Sequence, residues 1–229
     1  MSFLSRVHPK TLNSNPISQS YHEGARCCAP SLFITPNHGT EQNPSRGHYY
    51  GITEAERQHR RAARAAGAEV KHLTLSHLNV RPCVGCMKCR ITGTCALPHD
   101  DAHDIASLIH SADSIIIAMP VYWSSMPGTL KVLLDRLVYA FIDTSSPHRL
   151  PKPLQRGARL GVICSCTAPW PLSLTQTKPA VKSLRRIFRQ GGFTVYPALC
   201  LTGTRSLTAP KPSALKAAAS LGDLLARPR

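Results

Sequence analysis

Acidic residues are scarce in this chain: 12 Asp and Glu stand against 28 Lys and Arg, a formal charge of +16 over 229 residues. Also missing is any apolar run near the ~20 residues of a membrane span, which excludes a transmembrane helix. No internal repeat is visible, and no secretory apolar core precedes the cysteines, so a reducing compartment, the cytoplasm, is expected. The 11 histidines are spread through the chain and read as surface or single hydrogen-bonding groups. A charge of this size ordinarily points to nucleic acid or an anionic surface. Here the cations are scattered along the whole length rather than massed in one block, which weakens that inference. A phosphate-bearing cofactor gains equally from a positive field.

What is present is an alternation of strands and helices. The apolar share of 42% supports a real core, and the length suits one domain with appendages. Residues 1–28 are rich in Ser, Asn, Pro and His with no hydrophobic period, and read as an extended or disordered arm. Their basic, acid-poor character also describes a transit peptide, but Pro9 and Pro16 interrupt the helix such a signal needs. The domain proper is expected over 29–229. Strands are predicted over 31–35, 69–75, 114–118, 160–164 and 193–201, with helices over 53–66, 100–112, 130–137, 178–190 and 213–226. Thr53 with Glu56 three residues later reads as a capping box opening the first helix. This order implies an α/β three-layer sandwich, a five-stranded parallel sheet in the flavodoxin-like order 2-1-3-4-5.

The stretch 119–136, MPVYWSSMPGTLKVLLDR, is the most informative. It follows a β-branched run read as a strand buried on both faces, and leads into leucines at helical spacing. Its loop therefore sits at the carboxyl end of a parallel strand, where open α/β sheets bind ligands. Tyr122 and Trp123 have no apolar partners at strand or helix period. They either cover the end of the core or face a planar ligand. Upstream, Cys83, Cys86, Cys89 and Cys95 crowd one loop, a ligand arrangement more than a disulfide framework.

Taken in order, Cys83-Val-Gly-Cys86-Met-Lys-Cys89, Cys95, Asp100-Asp101, Ala112-Asp113, Pro120-Val-Tyr-Trp123-Ser-Ser-Met126-Pro-Gly128, Leu130-Lys131 and Asp135-Arg136 resemble the NAD(P)H-dependent, FMN-binding reductases of the flavodoxin superfamily, with the iron–sulfur flavoproteins as the nearer branch. The resemblance runs over about 31–200 and is densest over 81–136. It implies that Pro120, Val121, Tyr122, Trp123, Ser124 and Met126 wrap an isoalloxazine ring, largely through the backbone, with Ser165 and Thr167 at a further edge. Lys131 and the Asp135-Arg136 pair are expected to position the loop rather than to act on substrate. The implied chemistry carries hydride from NAD(P)H through FMN to a small acceptor (a quinone, flavin, nitro or azo compound) in a ping-pong scheme that needs no general acid–base residue. It also implies a homo-oligomer.

The phosphate loop departs from the family. Thr35 and Asn37 stand for its first part and Thr53 for its second, with an insertion carrying Arg46 between them. Helix amino-termini and hydroxyl-rich loops bind phosphate, and Arg46 is a candidate replacement cation. The insertion also leaves open a lid, or loss of FMN. The cysteine spacing lies close to the ferredoxin-type run, so a 4Fe–4S cluster on Cys83, Cys86, Cys89 and Cys95 stays open, as do redox thiols or small buried hydrophobes without a cluster, the side on which the balance falls. Zinc more often uses two separated Cys pairs. Two further readings follow: an iron–sulfur electron carrier, and a flavin-free basic binding protein that has kept the fold.

Overall fold

The computed structural model describes residues 30–35, 47–145, 150–205 and 209–227. The 1–28 arm, Asn37, Arg46 and His148 lie outside the described residues. The main sheet is parallel, in the order β2 (Glu69–Thr74), β1 (Pro30–Thr35), β3 (Ser114–Pro120), β6 (Arg159–Ser165), and then β7 (Thr194–Val195) and β8 (Leu199–Leu201), both of which pair with β6. Counting β7 and β8 as one interrupted strand, this is the 2-1-3-4-5 order. Pro197 separates the two pieces, as expected where a residue has no N–H to donate.

Two layers of helices cover the sheet, and strand alternation decides which side chain meets which. Leu32, Ile34, Ile115, Ile117, Met119, Leu160, Val162 and Cys164 point to the face covered by α3 (Asp101–Ser111), α4 (Gly128–Arg136), α5 (Val138–Phe141) and α6 (Ser173–Gln190). Phe33, Ile116, Ala118 and Ile163 point the other way, onto α1 (Gly47–Ala65) and α7 (Pro212–Leu225). With both faces covered, β3 and β6 are buried at every position, which is why they read as continuous apolar runs. Two glycines let α7 approach. A Cβ on Gly161 would stand 2.5 Å from Leu225 Cδ1, and one on Gly222 would stand 2.5 Å from the His59 carbonyl oxygen.

His59 shows how tightly that second layer is packed. Its ring is fully buried against Phe33, and its Nδ1 lies 3.2 Å from the Ala218 carbonyl oxygen. Burial, assisted by the neighbouring Arg60 charge and opposed by the Ala218 contact, lowers its pKa to about 4. It is therefore a neutral core residue at physiological pH.

Three expectations need correcting. The first helix opens at Gly47, not Thr53, so Thr53 lies inside α1 rather than at its start. The reason is the buried stripe of Ile52, Ala55, His59 and Ala63, which includes a residue preceding Thr53. Glu56 approaches His72 Nε2 at 3.0 Å and Arg60 at 3.5 Å. The fourth helix likewise starts early, at Ser173, with Pro179 in its second turn. The fifth strand, expected over 193–201, is split into β7 and β8, and a short antiparallel pair, β4 (Ile142–Asp143) with β5 (Lys152–Pro153), lies between α5 and β6.

Candidate functional site

The loop after β3 is a rigid platform. Val121 N–H donates to the Ser165 carbonyl at 2.8 Å and ties the loop to the end of β6. Tyr122 and Ser125 then exchange two backbone hydrogen bonds, of 3.1 and 2.8 Å, closing a tight turn. Its central residues, Trp123 and Ser124, have φ of 49° and 58°. Two successive left-handed residues form the pattern that Asn-Gly ordinarily fills. For non-glycine residues it costs about 1–2 kcal/mol each. Strain of this kind persists only where the surroundings enforce it, and it gathers at ligand sites. Buried Val121 and Met126 anchor the loop on either side.

The turn holds Trp123 wholly in solvent, at 102% relative exposure, with Tyr122 at 39%. The reading of these rings as covers for the end of the core therefore fails for Trp123. A strained backbone thus presents an unpacked indole at the carboxyl end of a central strand, the edge at which open α/β sheets bind ligands. The amides of Trp123 and Ser124 make no hydrogen bond among the described residues, leaving donors beside the ring.

The other expected contacts are distributed unevenly. Ser165 lies beneath the loop, fully buried, and its Oγ has no hydrogen-bond partner among the described residues. Such an atom is costly unless a ligand or water meets it. Thr167 is exposed two residues on, and Thr35 closes β1 opposite Thr74. The exposed rings, unpaired amides and orphaned Ser165 hydroxyl fit the ring end of a flavin. For the phosphate end, the structure places only Thr35 and Thr53, the latter in the helix interior.

The cysteine loop is clamped to this platform from below. Asp100 caps α3 by accepting from Ala102 N–H at 3.2 Å, while His103 Nδ1 accepts from the Asp100 amide at 3.1 Å. Arg136, at the end of α4, donates to both oxygens of Asp100, at 2.7 and 3.0 Å, and to the Arg81 carbonyl at 2.7 Å. Burial raises the Asp100 pKa, but the Arg136 hydrogen bonds and the Arg81 amide overcome it and leave the carboxyl below its ordinary range. Both ends of the loop are thus held by one guanidinium.

All four cysteines line one small cavity of about 80 Å³, with Arg136 in its wall. Burial, then the neighbouring thiols, raises the pKa of Cys89. Beside this loop Tyr139 is buried with its hydroxyl unpartnered, and burial raises its pKa to about 12. Among the described residues, no three His, Cys, Asp or Glu side chains are grouped to hold a metal ion. His99 is exposed, stacked on His103 and 3.4 Å from Asp104.

Two features were not anticipated from the sequence. A cavity of about 1160 Å³ lies away from the loop, between α6 and β8, where Lys182, Arg185, Arg186 and Arg189 flank Trp170 and Cys200. Cys200 also meets Cys164 across neighbouring strands. Helical spacing of α6 cations carried a signal for the first; nothing local in the sequence carried one for the second.

A doubly covered parallel sheet with a ligand platform at its carboxyl edge defines a flavodoxin-like α/β protein. Residues 53–198, more than half of the chain, match the model of the NADPH-dependent FMN reductases, and the chain belongs to that family. Similar curated proteins include an iron–sulfur flavoprotein of Methanocaldococcus jannaschii, 36% identical over 70 residues, covering 31% of this chain and 36% of that protein. Another, from Methanosarcina thermophila, is 38% identical over 76 residues, 33% of this chain and 39% of that protein. The chain thus matches little more than a third of the length of these relatives. Among solved structures, an FMN-dependent NADH-azoreductase of Bacillus anthracis in complex with FMN superposes with a TM-score of 0.65 at 15% identity, covering 87% of this chain and all of that one. An NAD(P)H:quinone oxidoreductase of Methanothermobacter marburgensis gives 0.59 at 14% identity, over 87% and 96%. At such identities the structural likeness establishes the fold.

Proposed function

We propose that the protein is an FMN-dependent NAD(P)H oxidoreductase that passes reducing equivalents to a small planar acceptor such as a quinone, a flavin or an azo compound. The observation that carries this reading is Trp123, held fully exposed on a strained turn at the end of β3. FMN, when bound, supplies a ring that takes up hydride and gives it away again. The chain's own part is to bind and orient. Trp123 and Tyr122 offer faces to flat molecules, the Trp123 and Ser124 amides donate toward the ring edge, and the Ser165 hydroxyl gains the partner it lacks. No side chain is assigned a proton-transfer role. Thr35, Asn37, Arg46 and Thr53 belong to the proposed phosphate end, with Thr167 at the ring edge. A homo-oligomer belongs to the same proposal, since a second copy would cover the open side of Trp123.

The test is an absorption spectrum of the purified protein followed by titration with FMN. Flavin bands, and NAD(P)H oxidation that depends on bound FMN with menadione as acceptor, support the proposal. A colourless protein that takes up no FMN refutes it; steep salt-dependent RNA binding in that protein would favour the basic binding reading.

A second reading, an electron carrier with a cluster on Cys83, Cys86, Cys89 and Cys95, is favoured by one observation only: the four line a single cavity. Stoichiometric iron with a broad visible shoulder in oxygen-free protein supports it, and iron-free protein purified the same way removes it.

A further inference from the structure

Two thiols meet where β6 and β8 run side by side. Cys164 and Cys200 are direct partners in the parallel register, and Cys164 Sγ donates to Cys200 Sγ at 3.0 Å. Cys164 is completely buried, whereas Cys200 is partly exposed and lines the basic groove beside α6. A small solute in that groove reaches one sulfur and not the other. The hydrogen bond from Cys164 lowers the pKa of Cys200, burial opposes this, and the Arg185 cation adds to the lowering. The same hydrogen bond, with burial, pushes Cys164 well above its ordinary value. One thiol thus stands in reach of solvent with its ionised form favoured, and its neighbour is buried beside it with its protonated form favoured.

Backbone geometry permits a bond between them. Adjacent strands lie about 4.8 Å apart, inside the Cα separation of about 4.4–6.8 Å that disulfides span. Cys166, the nearest competitor, donates instead to Gln176 Oε1 at 3.2 Å.

We propose that Cys200 and Cys164 form a reversible peroxide-reactive dithiol, with Cys200 the attacking sulfur and Cys164 the resolving one. The Cys200 thiolate attacks one oxygen of hydrogen peroxide. An S–O bond forms, the O–O bond breaks, and the departing hydroxide takes a proton to become water, leaving Cys200 as a sulfenic acid. The Cys164 sulfur then attacks the Cys200 sulfur. The S–S bond forms, the S–O bond breaks, and hydroxide leaves with the Cys164 proton as a second water. In sum, two thiols lose two electrons and two protons, and one peroxide becomes two waters. The bond would close one residue from Ser165, whose carbonyl holds the Val121 amide, so oxidation acts at the root of the ligand loop.

The experiment uses the full chain. Reduced protein is treated with equimolar hydrogen peroxide, remaining thiols are alkylated, and tryptic peptides are mapped by mass spectrometry. The expected result is a cross-linked species joining residues 160–182 to 190–205, lighter by two hydrogens, with fragment ions placing the bond on Cys164, and reversed by dithiothreitol. Cys166→Ser keeps that link, and Cys164→Ser loses it and leaves Cys200 as a sulfenic acid that dimedone traps. A link through Cys166, or a Cys200 that is alkylated to the same extent before and after peroxide, overturns the proposal. Should the Cys164 variant fail to fold, the mapping of the unaltered protein decides alone.

Discussion

Replacing Arg136 with Met tests whether one guanidinium holds the cysteine loop to the flavin-type platform. The side chains of Arg136 and Asp100 are 0% and 1% exposed and joined by two short hydrogen bonds. Met keeps most of the volume and removes the charge, leaving a buried carboxylate with only the Arg81 and Ala102 amides as donors. Breaking a buried pair from one side costs about 3–5 kcal/mol, against a total stability of about 5–15 kcal/mol for a domain. The urea midpoint of Arg136→Met should fall accordingly, with an unchanged m-value. Asp100→Asn should fall too, since it strips the guanidinium of its counter-charge. The double variant should lose less than the sum, because the two share one interaction. The pH dependence gives a second readout. Asp100 has a folded pKa below its ordinary 3.8, so its contribution is present above that value and lost as pH falls through the folded pKa. Arg136→Met should lack this acid-side loss. A midpoint shift worth less than about 1 kcal/mol would match a surface ion pair and refute the argument.

Ser124→Gly should relieve one left-handed residue and stabilise the protein by about 1 kcal/mol, read as a rise in melting temperature; a fall would mean that Ser124 is not strained. Trp123→Ala should weaken FMN uptake and turnover while leaving thermal stability within about 0.5 kcal/mol, because the ring packs on nothing; a large stability loss would return it to a structural role. Gly222→Ala should destabilise by about 1–3 kcal/mol, since its Cβ would meet the His59 backbone; a neutral result in chemical denaturation would count against the close crossing of α1 and α7. His59, with a folded pKa of about 4 against an ordinary 6.5, makes stability fall with acidification across that interval. The unfolded state binds the proton first, and about 3 kcal/mol is lost in full. His59→Gln should flatten that limb.

The buried strands were legible because both faces of the sheet are covered, so β3 and β6 carry uninterrupted apolar runs that no helix-spaced pattern matches. The loop was legible for the complementary reason: Tyr122 and Trp123 broke every period around them. The start of α1 was not, since Thr53 and Glu56 offer a cap that is locally as good as the true start and only the buried side of Ile52 decides against it. The Asp100 cap could be read locally, but its bonds to Arg136 span 36 residues. Cys164 and Cys200 are equally far apart in the chain, and their meeting follows from strand register rather than any local pattern.

The contact of α7 with α1 has a consequence in time. His59 reaches across 159 residues to Ala218, and the Gly222 surface closes over the same turn of α1. At about 5–20 residues per second of synthesis, the apolar side of α1 waits roughly 8–30 s for its cover. Through that interval α1 and β1 form a half-built layer whose inner face is open to any other apolar surface.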